Sequence, residues 1–322
     1  MMWTSIILFI AGFVLLVKGA DLLVDGAASI AHKMGISSLI VGLTVVAFGT
    51  SAPELVVNLI ASTGGNTDLA IGNVLGSNIS NTLLILGVAA LIYPITVKEG
   101  LIWKEIPFSL LAVIVLFLVA NDSLIDGMDV SQISRSDGLI MLAFFILFVA
   151  YLLNAAKSGV LDKKLDHEKI QEKPGWISFS QVVAGIIGLT LGGKWIVDGA
   201  LYFGEQLGVS QALMGLTVVA IGTSLPELAT AIVAARKQHA DIVLGNVIGS
   251  NIFNILLVLA TTASITPLTF SVELNQDITT VVSTTILLLI LILSNGKKIA
   301  RWQGGLFVGM YVVYLAYLIF RG

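Results

Sequence analysis

Long apolar runs broken by brief polar intervals set the pattern of this chain. A bilayer core about 30 Å thick takes about 20 apolar residues per helix. Runs of that size fall at about 3–31, 37–62, 69–92, 101–120, 137–156, 178–204, 210–235, 241–265, 279–294 and 302–320, which predicts ten spanning helices. The first run has no basic residue before it, and Lys18 follows residues 3–17. A cleaved signal peptide has its positive charge first, so this run reads as a retained first span. The longest polar interval, 157–177, separates five spans from five and is too short for a regulatory domain.

Composition agrees with that pattern. Apolar residues make up 57% of the 322 and charged residues 11%, less than half the roughly 25% of a soluble domain. Mean hydropathy is +0.98. These values exclude a soluble enzyme, a disordered chain and a nucleic-acid binder. The 32 glycines suit packed membrane helices. With no cysteine there is no disulfide framework, thiol nucleophile or thiolate metal site. The positive-inside rule sets orientation. With the N-terminus outside, 13 of the 17 Lys and Arg fall in inner connections or, for Lys104, at the inner end of a span. Only Arg135 and Arg321 fall outside, and Lys18 and Lys194 lie within spans. Both termini are therefore expected outside, with the central connection inside.

The chain is also written twice. GLTVVAFGTSAPEL at 42–55 returns as GLTVVAIGTSLPEL at 215–228, and GNVLGSNISNTLLIL at 72–86 returns as GNVIGSNIFNILLVL at 245–259. Both pairs, and VDGA at 24–27 and 197–200, keep one offset of 173. The expected organisation is a five-helix repeat at 1–156 with motifs at 42–62 and 70–87, a linker at 157–177, and a second repeat at 178–322 with motifs at 215–235 and 243–260. Five spans is an odd number, so the second repeat must enter the membrane in the opposite sense. Inverted repeats of this kind mark secondary transporters working by alternating access. Identity concentrates in the polar motifs, whereas a duplication that merely enlarged the protein would not single them out.

The motifs carry cation chemistry. Pro53 lacks an N–H, so the Gly49 carbonyl loses its helical partner and the helix should break within the membrane. Such backbone is tolerated where it lines a cavity or site. Thr50, Ser51 and the freed carbonyls are hard oxygen ligands, and Glu54 adds a carboxylate. Ala220, Gly222, Thr223, Ser224, Pro226 and Glu227 repeat the set. A charge at the centre of a span costs at least about 2.5–3.5 kcal/mol. Inverted symmetry should bring Glu54 and Glu227 together, where one divalent cation, or monovalent cations or protons, would balance them. Asn73, Ser77 and Asn81 recur every fourth residue, roughly on one helical face, and Asn246, Ser250 and Asn254 match them. Carboxylates, amides and hydroxyls without His or Cys suit Ca²⁺, Na⁺ or another hard cation.

Other features read as structure. The GxxxG pairs Gly72/Gly76 and Gly245/Gly249 permit close helix approach. Asp25 and Asp198 repeat near expected helix ends, where capping or gating contacts are favoured over ligation. GLTLGGKW at 188–195 lacks the Ser or Thr of a phosphate-binding loop, since Trp195 stands there. His32, His167 and His239 fall in connections and suggest no site. Asp122, Asp126 and Asp129 read as a solvated outer loop.

The doubled GTSAPE/GTSLPE and GNVLGSNISN/GNVIGSNIFN resemble the alpha repeats of the cation/calcium exchanger superfamily, over the whole chain. The chain looks like a prokaryotic sodium/calcium exchanger-type antiporter. That resemblance implies an all-α polytopic membrane protein with ten transmembrane helices in two inverted repeats. Helices 2, 3, 7 and 8 would form the core, with helices 1 and 6 long, tilted and sliding across it. Carried over, the central Ca²⁺ site would use Glu54, Glu227, Thr50, Thr223, Asn81 and Asn254. Flanking Na⁺ sites would use Ser51, Ser77, Ser224, Ser250 and the carbonyls of Ala47 and Ala220. Asn73, Asn246, Gly49, Pro53, Gly222 and Pro226 would support the helix breaks. Many members that exchange Na⁺ for Ca²⁺ carry Asp where this chain has Asn254, which leaves the coupling ion open. The large cytoplasmic calcium-sensing domains of animal relatives are not expected here.

The expected activity is expulsion of Ca²⁺ by inward Na⁺ flow across the plasma membrane, the inner membrane in a Gram-negative cell. The rivals are a cation/proton or K⁺-linked exchanger on the same scaffold and a cation channel. No cofactor, nucleic acid or obligate protein partner is expected; the partners are inorganic cations and membrane lipid. No nucleophile–base pair suggests an enzyme.

Overall fold

The computed structural model describes residues 2–158, 173–206 and 220–321. Besides a single turn at Asp122–Ile125, its helices are α1 Met2–Met34, α2 Ser38–Thr50, α3 Ala52–Thr63, α4 Thr67–Ile92, α5 Leu101–Ala120 and α6 Arg135–Ser158. There follow α7 Gly175–Gln206, α8 Ala220–Thr223, α9 Leu225–Arg236, α10 Ala240–Ile265, α11 Val272–Ser294 and α12 Arg301–Arg321. Eight of these are individually long and apolar enough to span a bilayer, and α2 with α3 make a ninth, bent by 41°. Of the span expected at 210–235, the described part begins at Ala220, in α8 and α9. The protein is an all-α polytopic membrane protein.

Burial sorts the helices into centre and rim. The most apolar stretch of α10 is 94% buried and that of α4 72%, against 22% for α6 and α12. The rim helices turn Leu139, Ile146, Val313 and Phe320 outward, as lipid requires. In the centre the exposed helix face is gone, and polar residues are enclosed with the apolar ones.

The two longest helices, α1 and α7, pack antiparallel along a glycine seam. A Cβ on Gly19 would lie 2.7 Å from Leu189 N, one on Gly26 2.7 Å from Ser178 O, and one on Gly192 2.7 Å from Leu16 N. Gly12, Gly19 and Gly26 recur at 185, 192 and 199, again 173 residues on. Small residues let the backbones touch, which in lipid replaces the missing hydrophobic drive between helices. Because α1 and α7 occupy equivalent places in the two halves, their antiparallel course is the inversion made visible.

A second sign of inversion is a pair of two-residue ribbons. Ile95–Thr96 (β1) pairs antiparallel with Lys298–Ile299 (β4), and Gln132–Ile133 (β2) with Leu268–Thr269 (β3). Each ribbon joins a connection of the first half to one of the second. The β1·β4 ribbon ties the α4–α5 and α11–α12 connections; the β2·β3 ribbon ties α5–α6 and α10–α11.

Candidate cation site

The site begins at two matched helix breaks. Ser51 separates α2 from α3 with φ −84° and ψ 1°, and Ser224 separates α8 from α9 with φ −84° and ψ 0°. Pro53 and Pro226 fall in the first turn of the following helix, where a missing N–H is harmless. Glu54 and Glu227 share that turn, so each carboxylate sits at a positive helix terminus. Thr50, Ser51, Glu54, Thr223, Ser224 and Glu227 are all buried. The broken backbone is thus enclosed by protein, as the bilayer demands.

Each half holds the other half's break. Thr50 Oγ1 donates to Asn246 Oδ1 at 3.0 Å, and Thr223 Oγ1 donates to Asn73 Oδ1 at 3.2 Å. Ser250 Oγ lies 3.4 Å from Thr50 Oγ1. One layer on, Asn81 Nδ2 donates to Asn251 Oδ1 at 3.0 Å and Asn254 Nδ2 to Asn78 Oδ1 at 3.1 Å. Asn81 and Asn254 each open a wider π turn in α4 and α10, a local unwinding common at functional sites. Close approach serves the same contact: a Cβ on Gly245 would lie 2.7 Å from Leu39 O and 2.8 Å from Gly42 Cα. One on Gly249 would lie 2.7 Å from Ala47 Cβ. For Gly72 and Gly76, the equivalent stretch 212–219 lies outside the described residues.

These bonds decide which atoms remain. Both oxygens of Glu54 and of Glu227, the hydroxyls of Ser51, Ser77 and Ser224, and Oδ1 of Asn81 and Asn254 are buried with no protein hydrogen-bond partner. Ser77 lies beside Glu54, and Thr50 and Ser51 lie beside Glu227, but neither carboxylate receives a well-aligned hydrogen bond. Ala47 O accepts Ser51 N at 3.0 Å and Thr50 Oγ1 at 3.4 Å. Nothing is described of the Ala220 side chain. The amide hydrogens of Asn81 and Asn254 are turned away into cross-half bonds, so each presents oxygen. Gly49 and Gly222 lie one turn ahead of the acids, packed against Ile186 and Val197 of α7.

The sequence reading missed the residues that orient these amides. Asn78 and Asn251 lie inside the repeated motif, at the same 173 offset, and attention to every repeated polar position would find them. Asn78 Nδ2 donates to Asn251 O at 3.1 Å, while Asn251 Nδ2 donates to Thr82 Oγ1 at 3.1 Å. Asn58 was also missed. It links Asn73 to Ala70 O, through bonds of 2.8 and 3.0 Å, but Ala231 stands at its counterpart, so no repeat signals it.

Charged ties flank the centre. Lys237, just past α9, reaches Asp25 at 2.6 Å and Asp21 at 3.1 Å on α1. At the equivalent place in the other half, Gly64 replaces the lysine, and Asp198 pairs with Lys194 on its own helix at 2.8 Å. Both aspartates thus lie inside helices and make ion pairs rather than caps. Lys98 holds buried Asp241 at 2.5 Å, and Ser271 Oγ holds the equivalent Asp68 at 2.7 Å. Elsewhere Tyr151 OH donates to buried Glu105 at 2.6 Å, and Tyr314 OH to buried Asp277 at 2.9 Å.

An inverted helical scaffold enclosing two acids among unpaired oxygens defines a membrane cation carrier, and the comparisons give the class its name. The profile described as "Sodium/calcium exchanger protein" matches residues 4–154 and 177–320. The chain belongs to the sodium/calcium exchanger protein family. It is 39% identical to the inner membrane protein YrbG of Escherichia coli K12, over 97% of this chain and 95% of that one. It is 32% identical to the sodium/calcium exchanger MaX1 of Methanosarcina acetivorans, over 99% of this chain and all of that one. Among solved structures, the sodium-calcium exchanger NCX_Mj superposes with TM-score 0.84 at 35% identity, covering 98% and 99% of the two chains.

Proposed function

We propose that the protein is a secondary antiporter exchanging Ca²⁺ for Na⁺ across the plasma membrane, by alternating access at the site around Glu54 and Glu227. The observation that carries this reading is the cluster of buried oxygens with no protein partner: two carboxylates, three serine hydroxyls and two asparagine carbonyls. A buried acceptor without a donor costs roughly 1–3 kcal/mol, more when charged. A cation removes that cost for all of them together, whereas an anion or a hydrogen-bond acceptor would add to it. Two negative charges match one Ca²⁺ or more than one Na⁺, and hard oxygens suit both. Either load neutralises the pair, so the loaded carrier can change its facing and the empty one is held back by its own charge.

Glu54, Glu227, Thr50, Thr223, Asn81 and Asn254 form the central ring in this reading. Ser51, Ser77, Ser224, Ser250, Ala47 and Ala220 extend it for Na⁺. Asn73 and Asn246 hold the two broken helices, and Gly49, Pro53, Gly222 and Pro226 permit the breaks. The two repeats, 1–156 and 178–322, alternate about this centre, with α1 and α7 as the moving pair. Charge distribution puts both termini outside and the 157–177 linker inside.

The test is ⁴⁵Ca²⁺ flux in proteoliposomes under separately imposed Na⁺, K⁺ and proton gradients. Saturable Ca²⁺ uptake driven by the Na⁺ gradient is expected. Uptake driven by the proton gradient alone would replace Na⁺ as the coupling ion, and single-channel currents would overturn antiport. The chain has no cysteine, so single cysteines at Thr96 and Asp129 report orientation by impermeant thiol labelling. Position 96 should be protected in right-side-out vesicles and position 129 labelled.

A further inference from the structure

The two halves differ at one buried place beside the carboxylates. In the first half the Asn58 carboxamide bridges α3 and α4. It accepts from Asn73 Nδ2 at 2.8 Å and donates to Ala70 O at 3.0 Å. Asn73 is thereby fixed to accept the Thr223 hydroxyl. In the second half the equivalent residue is Ala231, fully buried. Asn246 still accepts the Thr50 hydroxyl, but its Nδ2 is buried and has no protein partner. The same is true of Oγ1 of Thr230, the neighbour of Ala231 on α9, in a residue that is also fully buried.

We propose that one water molecule is held between α9 and α10, at the place the Asn58 carboxamide takes between α3 and α4. It accepts from Asn246 Nδ2, as Asn58 Oδ1 accepts from Asn73. It donates to Val243 O, the counterpart of Ala70 O, and makes its third bond with Thr230 Oγ1. Buried waters make about three hydrogen bonds and occupy about 30 Å³, close to the room freed by shortening asparagine to alanine. The ligand is water and not a cation, because Asn246 turns amide hydrogens toward it while its oxygen is taken by Thr50. The water is then a positioning ligand: through Asn246 it sets Thr50, as Asn58 sets Thr223 through Asn73. One threonine is held by a carboxamide bonded to the chain, and the other by a molecule that can leave.

The site follows from the hydrogen-bond pattern; the proposed exchange activity enters only through the flux readout below. The first test is a crystal structure of the full-length protein at a resolution that shows ordered water. Density within hydrogen-bond distance of Asn246 Nδ2, Val243 O and Thr230 Oγ1 is expected. No density, with Asn246 Nδ2 turned onto a protein atom, overturns the proposal. The second test compares two substitutions by flux. Ala231→Asn replaces the water by the carboxamide that the other half carries and should keep exchange within about twofold of the parent. Ala231→Leu fills the space without a polar atom and strands Asn246, so apparent cation affinity should weaken about tenfold while the maximal rate changes less. Equal behaviour of the two variants overturns the proposal. Should the leucine variant not assemble, Thr230→Val removes one of the three partners and should weaken or abolish the density; unchanged density overturns it. A parent without exchange would sink the proposed function and leave the crystallographic result decisive for the water.

Discussion

Asn254 donates its Nδ2 to Oδ1 of Asn78 at 3.1 Å, across the boundary between the halves. The bond leaves Oδ1 of Asn254 buried and without a protein partner. An ionised aspartate at 254 has no hydrogen to donate, so it would face the Asn78 oxygen as a second acceptor. Turning Asn78 over would restore that contact but lose its bond to Asn251 O at 3.1 Å. A protonated aspartate could keep the donor. Asn254→Asp should therefore add a titrating group to those of the parent, leaving exchange parent-like at acidic pH and altered at alkaline pH. Flux measured across the two pH ranges checks this, and a superimposable profile refutes it.

Glu54→Gln and Glu227→Gln each remove one of the two buried charges and keep the shape. Either change should reduce exchange to the vesicle background, because the remaining single charge no longer balances one Ca²⁺. Both proteins should still fold, since each substitution also removes a buried charge that its environment leaves unpaired. Size-exclusion and thermal-melt measurements report folding and ⁴⁵Ca²⁺ flux reports function. Substantial exchange in both variants would remove these residues from the site.

Gly245 meets backbone on three sides, at Leu39 O, Gly42 Cα and Leu43 N. Gly245→Ala should destabilise by about 1–3 kcal/mol, because main chain yields far less than a side chain tip. Gly309 has nothing within 4 Å of the place a Cβ would take, so Gly309→Ala should leave the melting temperature unchanged or slightly raised, since alanine favours helix. Equal melting temperatures for the two variants would contradict the close crossing of α2 and α10.

Lys237 ties the end of α9 to Asp21 and Asp25 on α1, and no matching tie joins Gly64 to α7. If α1 slides across the centre, Lys237→Gln frees one end of the molecule and leaves the other alone. Each exposed pair is worth only about 0–1 kcal/mol, so a change of up to about fivefold in apparent cation affinity on one face is expected. The change should shrink at high ionic strength. An equal change on both faces would show that the tie does not bias the conformation.

At the β1·β4 ribbon, Lys297 Nζ donates to Glu99 Oε1 at 2.6 Å. That hydrogen bond, and then the lysine's charge, hold Glu99 below the usual carboxylate range. A lowered folded-state pKa means stability present above the unfolded value and lost as pH falls through the folded one. The parent should melt slightly higher than Glu99→Gln at neutral pH, and the difference should vanish in acid. A difference that grows in acid would reverse the sign of this contact.

Most of the scaffold was legible because bilayer thickness and the 173-residue repeat are both written in residue types. The breaks were legible too, since Pro53 and Pro226 act through a missing N–H wherever they stand. The expected span 279–294 began too late: α11 starts at Val272, and the polar residues Gln276 and Asp277, held by Tyr317 and Tyr314, hide that start. The seven-residue glycine seam of α1 and α7 was not recognised, because the VDGA repeat marks only its last glycine, Gly26 and its counterpart Gly199. The orienting role of Asn78 and Asn251 depends on which amide end points where, and residue type carries no such direction. Asn58 and Lys237 were hidden for the opposite reason, since each stands where the other half has something else.

The two short ribbons constrain how the molecule is made. β1 finds its partner only when the chain has been synthesised to Ile299, and β2 only when it has reached Thr269. The cross-half hydrogen bonds of Asn73 and Asn81 likewise wait for Thr223 and Asn251. Such distant pairings form late and slowly. The first repeat therefore enters the membrane with open strand edges and polar groups lacking their partners, and it matures only as its inverted copy arrives.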